Sequence, residues 1–221
     1  MCYGRATMET DEAIQARRTL KVIADASSPW PPGDGIDQAL DEMIRLAGMA
    51  PFHKPADKSY REDLVALVPW RFHVLDSRNC RALLANLNGR GIDGGKISGM
   101  LAAADALVQV TWLPNPPKDP EPGSALFSPT LENMEHSAAA SAAVQNLLLA
   151  TASRGIPNDW SSGGILREPT QFDLLGIPRH EILLGSIFLF PTDTRDADLH
   201  EGKLRAMREP VSDWARRVEI D

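Results

Sequence analysis

The stretch that most constrains this chain is residues 132–154, where an alanine-rich opening followed by Val144, Leu147, Leu148 and Thr151 predicts one long helix with a continuous apolar face. Gly155 is its natural C-terminal cap, since glycine takes the left-handed conformation that ends a helix at no steric cost. Ala138, Ala139, Ala142 and Ala143 would admit close approach of another helix. On pattern alone that neighbour belongs equally well to the chain's own core or to a second copy.

Around this helix the periodicity alternates between helical and strand-like. Thr10 is expected to cap a first helix, with Asp11 and Glu12 near its positive end and Arg17 and Arg18 at its exit. Ile36, Leu40, Met43, Ile44 and Ala47 recur as one face of a second helix, which Gly48 and Pro51 end. PWRFHVL, ALVQVTWL and EILLGSIFLF read as strands; further helices are expected over 77–87 and 96–105, and a short one at QFDLLG. Residues 52–68 read as a loop or short helix covering a site, and 114–129, with six prolines, as an exposed loop or flap. Helices interleaved with few strands in this order predict an α+β sandwich.

With 221 residues and 43% hydrophobic content the chain suits a single domain. Its formal charge of -7 gives nucleic acid and anionic membranes no global attraction. Apolar runs stop short of the ~20 residues that a spanning helix needs, and the N-terminus lacks secretory features, so a cytoplasmic location is expected. Cys2 and Cys80 form no CxxC and no zinc-type cluster with histidine, so neither a disulfide framework nor a metal site is expected. Cys80, beyond the strand RFHVL, reads as a buried small residue rather than a catalytic thiol.

The sequence contains no GxGxxG after a strand, no GxxxxGK[ST], no GxSxG and no HExxH, which removes most of the case for dinucleotide folds, P-loop enzymes and serine hydrolases. Six segments, in order, resemble nitroreductase-fold flavoproteins instead. They are RRTLKVIAD (17–25), LAGMAPFHKP (46–55), VPWRFHVLD (68–76), SAAASAAVQNLLLATASRGIPNDWSSGG (137–164), LLGIPRHEILLGSIFLF (174–190) and MREPVSDWARRV (207–218). The resemblance spans residues 11–218. It implies a nitroreductase-like sandwich over residues 11–221, with a central, mostly antiparallel sheet flanked by helices, preceded by an extension over 1–10. It further implies a homodimer with exchanged C-terminal arms, two FMN sites at the subunit interface, and NAD(P)H as co-substrate for reducing a small electron acceptor.

The resemblance assigns FMN contacts to Arg17, Arg18, Thr19, Lys21, His53, Trp160, Ser161, Ser162, Gly163 and Arg208. Paired guanidinium groups suit a phosphate dianion, and Thr19 adds a hydroxyl or backbone donor. Lys21 would stabilise the negative charge of reduced flavin at N1 and C2=O. By residue type alone, the same cluster is a solvated basic helix end. His53 matches AP-x-H and would reach the ribityl or phosphate region, whereas a lone histidine is as often a surface residue. Trp160 to Gly163 match W-x-[ST]-G, whose backbone donors approach the ring. Near the C-terminus Arg208 aligns with the family's arginine, with Lys203 and Arg205 as nearby alternatives. The chain departs from the pattern at Phe52, lacks the asparagine many members carry before QPW, and has a longer stretch before Val68.

The activity these features imply is FMN-dependent, NAD(P)H-driven reduction of nitroaromatic, quinone or related electron-poor substrates, with no side chain required as acid or base. The alternatives are a noncatalytic flavin-binding or flavin-sequestering protein, or a specialised member acting on another substrate.

Overall fold

A computed structural model of the chain describes residues 8–33, 35–60, 65–116 and 127–220. The expectations for residues 1–7 of the extension, for 61–64 of the first covering segment and for 117–126 of the proline-rich one lie outside the described residues. The described elements are α1 (Thr10–Ala16), β1 (Leu20–Ile23), α2 (Asp37–Ala47), β2 (Trp70–Asp76), α3 (Ser77–Gly89), α4 (Lys96–Ala103), β3 (Ala106–Trp112), α5 (Leu131–Ala152), β4 (Asn158–Ser161), α6 (Pro169–Leu175), β5 (Ile182–Leu189) and β6 (Asp198–Glu201). Single 3-10 turns lie at Lys58–Tyr60, Gly164–Arg167, Lys203–Met207 and Val211–Asp213.

The fold is α+β. A four-stranded sheet in the order β2-β3-β5-β4 is antiparallel throughout, and a two-stranded ladder joins β1 to β6. All seven residues of β3 are buried, as expected for a central strand covered on both faces. Its alternation divides the core. Leu107 joins Leu75 and Phe188 against Leu83, Leu84 and Leu87 of α3 and Leu101 of α4. Ala106, Val108 and Val110 turn the other way, onto Leu40 and Met43 of α2 and Val144 and Leu147 of α5. At roughly 1.5–3 kcal/mol per fully buried large apolar side chain, these two layers dominate the favourable side of folding.

The long helix runs over 131–152, close to its expected span, with Thr130 accepting the Asn133 N–H at 3.2 Å. Past its end Gly155 adopts φ +68°, and the N–H groups of Gly155 and Ile156 return to the carbonyls of Ala152 and Thr151 at 3.0 and 3.1 Å. That pairing closes the helix as a glycine cap should. Ala139, Ala140 and Ala143 pack on Trp70 and Trp112 within the same chain. Ala138, Ala139 and Ala142 also line a surface groove with His53.

Two expectations are corrected. Thr10 does not cap α1: Glu9 holds the cap position without a side-chain hydrogen bond, and Thr10 already lies in the first turn, where Asp11 and Glu12 sit as expected. Strands β1, β4 and β6 were not foreseen either. Each is only four residues long and carries at least one charged residue, too short a run for apolar alternation to mark it as a strand.

Glycine also shapes the sheet. A Cβ on Gly185 of β5 would lie 2.1 Å from Trp160 Nε1 and 2.9 Å from the Ser161 carbonyl oxygen, so the indole on β4 packs where a side chain would otherwise stand. Gly185→Ala is therefore expected to cost about 1–3 kcal/mol, read as a lower urea midpoint at unchanged slope; an unchanged midpoint would remove this packing role. Cys80 is buried, and burial pushes its thiol up to about 12. In a Cys2→Ser variant, which leaves Cys80 as the single thiol, iodoacetamide at pH 8 is expected to label only the unfolded chain, because the reactive thiolate is scarce in the native state. Labelling of the native protein at a free-thiol rate would contradict that placement.

Candidate functional site

The N-terminal segment and the C-terminal tail are far apart in sequence but meet through the β1–β6 ladder, in which Leu20 pairs with Glu201 and Lys21 with His200. The Gly202 N–H continues the ladder to the Thr19 carbonyl at 3.0 Å. Arg205 then donates to the carbonyls of Arg17 and Gln15. Arg17 itself ends α1, its N–H returning to the Ala13 carbonyl at 2.9 Å.

A cavity of about 510 Å³ opens between this pair of segments and β4. Six of its lining residues are cationic: Arg17, Lys21, Lys96, Lys203, Arg205 and Arg208. Two are acidic, Asp159 and Glu201, so the cavity carries strong positive charge in a chain whose formal balance is -7. Thr19 and Trp160 complete the parts that matter to recognition, the indole being 37% exposed. Burial, with Arg208 and Arg205 nearby, lowers the Arg17 guanidinium from its ordinary value. The like charges repel one another and are held together by backbone contacts, an arrangement that an incoming polyanion would relieve.

Beside the cavity, residues 161–164 make a rigid turn. Gly163 has φ +104°, and a Cβ there would stand 2.7 Å from Leu183 Cδ2. Its N–H donates to Ser161 Oγ at 3.2 Å, and Arg167 clamps the turn by donating to the carbonyls of Ser162 and Leu183, the latter at 2.7 Å. Burial lowers the Arg167 guanidinium.

Of the residues singled out from the sequence, Arg17, Thr19, Lys21, Trp160 and Arg208 line this cavity. Arg18 does not; it pairs with Glu201 at 3.6 Å on the surface. His53 lies in a separate groove with Pro51, Phe52 and Ala138, its Nδ1 3.7 Å from Glu135 Oε1. Ser161, Ser162 and Gly163 form the adjoining turn rather than the lining. Lys203, Arg205 and Arg208 all reach the cavity, with Arg205 already engaged by its two carbonyls.

Sequence reasoning did not single out Lys96, His200 or Asp159 for this site. Lys96 follows a glycine pair at the start of α4, and Asp159 directly precedes the W-x-[ST]-G match, with no signal of its own in the sequence. Asp159 is fully buried, and both carboxylate oxygens lack a hydrogen-bond partner. Burial raises its carboxyl above the usual range, and Lys21 acts in the opposite direction.

Among the described residues, no group of three or more His, Cys, Asp or Glu side chains could hold a metal ion, and no helix is long and apolar enough to cross a membrane.

No protein-family model matches the sequence, and no curated protein matches it. Solved structures match its fold. A proposed NAD(P)H:FMN oxidoreductase from Staphylococcus epidermidis superposes with TM-score 0.63 at 16% identity, the match covering 99% of this chain and 100% of that one. A nitroreductase-like family protein from Bacillus cereus gives 0.62 at 21% identity over 97% and 98%. The FMN complex of a protein assigned as a nitroreductase from Desulfovibrio desulfuricans gives 0.58 at 17% identity over 98% and 100%. Together with the antiparallel sheet and its flanking helices, these likenesses show that the chain has the nitroreductase-like fold.

Proposed function

We propose that the chain is an FMN-dependent oxidoreductase that uses NAD(P)H to reduce nitroaromatic, quinone or related electron-poor acceptors, and that it works as a homodimer. The observation that carries this reading is the cationic cavity between the N-terminal segment, β4 and the tail. Its donor set fits a phosphate-bearing ligand with a planar heterocycle: guanidinium and ammonium groups for the dianion, and the half-exposed Trp160 with Lys21 and Asp159 near β4. Structures of the same fold include one in complex with FMN and one described as a proposed NAD(P)H:FMN oxidoreductase.

Bound FMN would supply the hydride chemistry through its isoalloxazine ring. This chain's residues bind and tune it. Arg17, Arg208 and Lys203 hold the phosphate, while Arg205 fixes the Arg17 backbone so that its guanidinium faces the cavity rather than drifting into solvent. Lys21, which lines the same cavity, would stabilise the negative charge that grows on the flavin on reduction. The 161–164 turn, held by Arg167, gives a rigid backbone wall beside the site.

A homodimer accounts for features that the single chain leaves open. Beyond the cavity-lining residues of the tail, residues 211–220 are exposed throughout, including Val211, Trp214, Val218 and Ile220, apolar side chains suited to burial against a partner.

Three measurements test the proposal. The purified protein is expected to show flavin absorbance or to take up FMN, and to oxidise NAD(P)H steadily when an electron-poor acceptor is added; binding without turnover would leave a flavin carrier. Arg17→Ala is expected to weaken FMN by about ten- to hundredfold through loss of a charge-assisted contact, whereas Lys21→Ala retains more flavin and slows its reduction in single turnover. Normal occupancy and normal reduction rate in Lys21→Ala would make Lys21 a surface lysine. Light scattering at micromolar concentration is expected to give twice the 24.1 kDa chain mass, and a monomer holding stoichiometric FMN would overturn the interface model.

A further inference from the structure

Asp159 is the feature of the cavity that an anion site does not explain. A phosphate gains nothing from a carboxylate, yet this side chain lines the cavity, is fully buried, and has neither oxygen hydrogen-bonded. A buried polar group without a partner costs about 1–3 kcal/mol, and more when charged, so a ligand that supplies a donor there gains the corresponding advantage. Its position within the cavity is informative. Lys21 on β1 and Asp159 on β4 both line it from strands that pack against each other, and Lys21 is the cation whose charge acts on Asp159.

Arg17 and Lys21 are four residues apart on a segment that becomes strand β1, which separates them by at most about 13 Å at ~3.3 Å per residue. A span of that order parts the phosphate of an extended nucleotide from its heterocycle rather than from the hydroxyl beside it. Besides the arginines, the cavity thus presents an ammonium donor from β1 and a carboxylate acceptor from β4. That pair complements a ring edge carrying a carbonyl oxygen beside an N–H, which is the imide edge of a flavin.

We propose that Asp159 is a positioning and specificity residue that accepts the hydrogen bond of the flavin N3–H, with Lys21 beside it as donor to the neighbouring carbonyl; this rests on the FMN reading above. The same carboxylate opposes the negative charge that Lys21 favours on reduction, so the two side chains set the potential of the bound cofactor in opposite directions.

The test compares FMN with 3-methyl-FMN, which keeps the phosphate and every hydroxyl but has no N3–H, by fluorescence titration of the parent, Asp159→Asn and Asp159→Ala. The parent is expected to prefer FMN by about ten- to hundredfold, the fold-change that a charge-assisted hydrogen bond confers. Asp159→Asn, which keeps an amide oxygen, retains part of that preference, and Asp159→Ala loses it. In Asp159→Asn reduced FMN is expected to gain about tenfold over oxidised FMN relative to the parent, an upward shift of about 30 mV for two electrons. Equal binding of the two flavins by the parent, or a preference that survives in Asp159→Ala, overturns the role of Asp159 and leaves the FMN reading intact. A parent that binds neither flavin overturns the FMN reading and this inference with it. The parental comparison requires no variant to fold.

Discussion

The site depends on one backbone interaction, the short antiparallel ladder between β1 and β6. Without it Arg17, Lys21, Lys203, Arg205 and Arg208 would be scattered along two chain segments nearly two hundred residues apart, solvated and mutually repelling. With it they share one concavity, and the repulsion is carried by the Gly202 N–H to Thr19 bond and by Arg205 reaching the carbonyls of Arg17 and Gln15. Cations fixed in advance need little reorganisation to receive an anion, which is why a locally positive cavity is informative in a chain of net negative charge.

The sandwich supplies the rigidity that this ladder alone lacks. β1 is anchored to α4, where the Ala24 N–H donates to the Gly99 carbonyl at 3.1 Å and a Cβ on Gly99 would meet Ile23 Cγ2 at 2.4 Å. β4 is the edge of the main sheet, and its Trp160 occupies the space left by Gly185. Deeper in the same sheet Glu181 receives Thr111 and faces His73 Nε2 at 2.7 Å, while Ser186 donates to Gln109 at 2.5 Å. These buried polar contacts cross between strands and help fix the register on which the site wall stands.

The sequence made the large elements legible and the small ones not. The helix of 131–152, the two strongly apolar strands β3 and β5, and the helix over 37–47 announce themselves because burial on a repeating face writes a period into the residues. β1, β4 and β6 carry the site, yet four residues of mixed polarity are too few to show a period, and their pairing partners lie far away in sequence. Arg17, Thr19, Lys21, Trp160 and Arg208 were legible through ordered resemblance and stand in one cavity. Arg18 was indistinguishable from Arg17 by residue type, and the fold separates them: Arg17 lines the cavity, whereas Arg18 does not and pairs from the surface with Glu201. Asp159 was hidden because its meaning comes from burial without a partner, which no local pattern records.

The central claim is that the cationic cavity recognises the phosphate of a flavin nucleotide. Riboflavin isolates that claim, since it shares the ring and the hydroxyl chain of FMN and lacks only the phosphate. Parallel titrations of the protein with FMN and riboflavin, each at low and high salt, are expected to show FMN bound at least about a hundredfold more tightly, with the difference shrinking as salt screens the cluster. Equal affinities for the two, unaffected by salt, would contradict the assignment of the cavity to the phosphate.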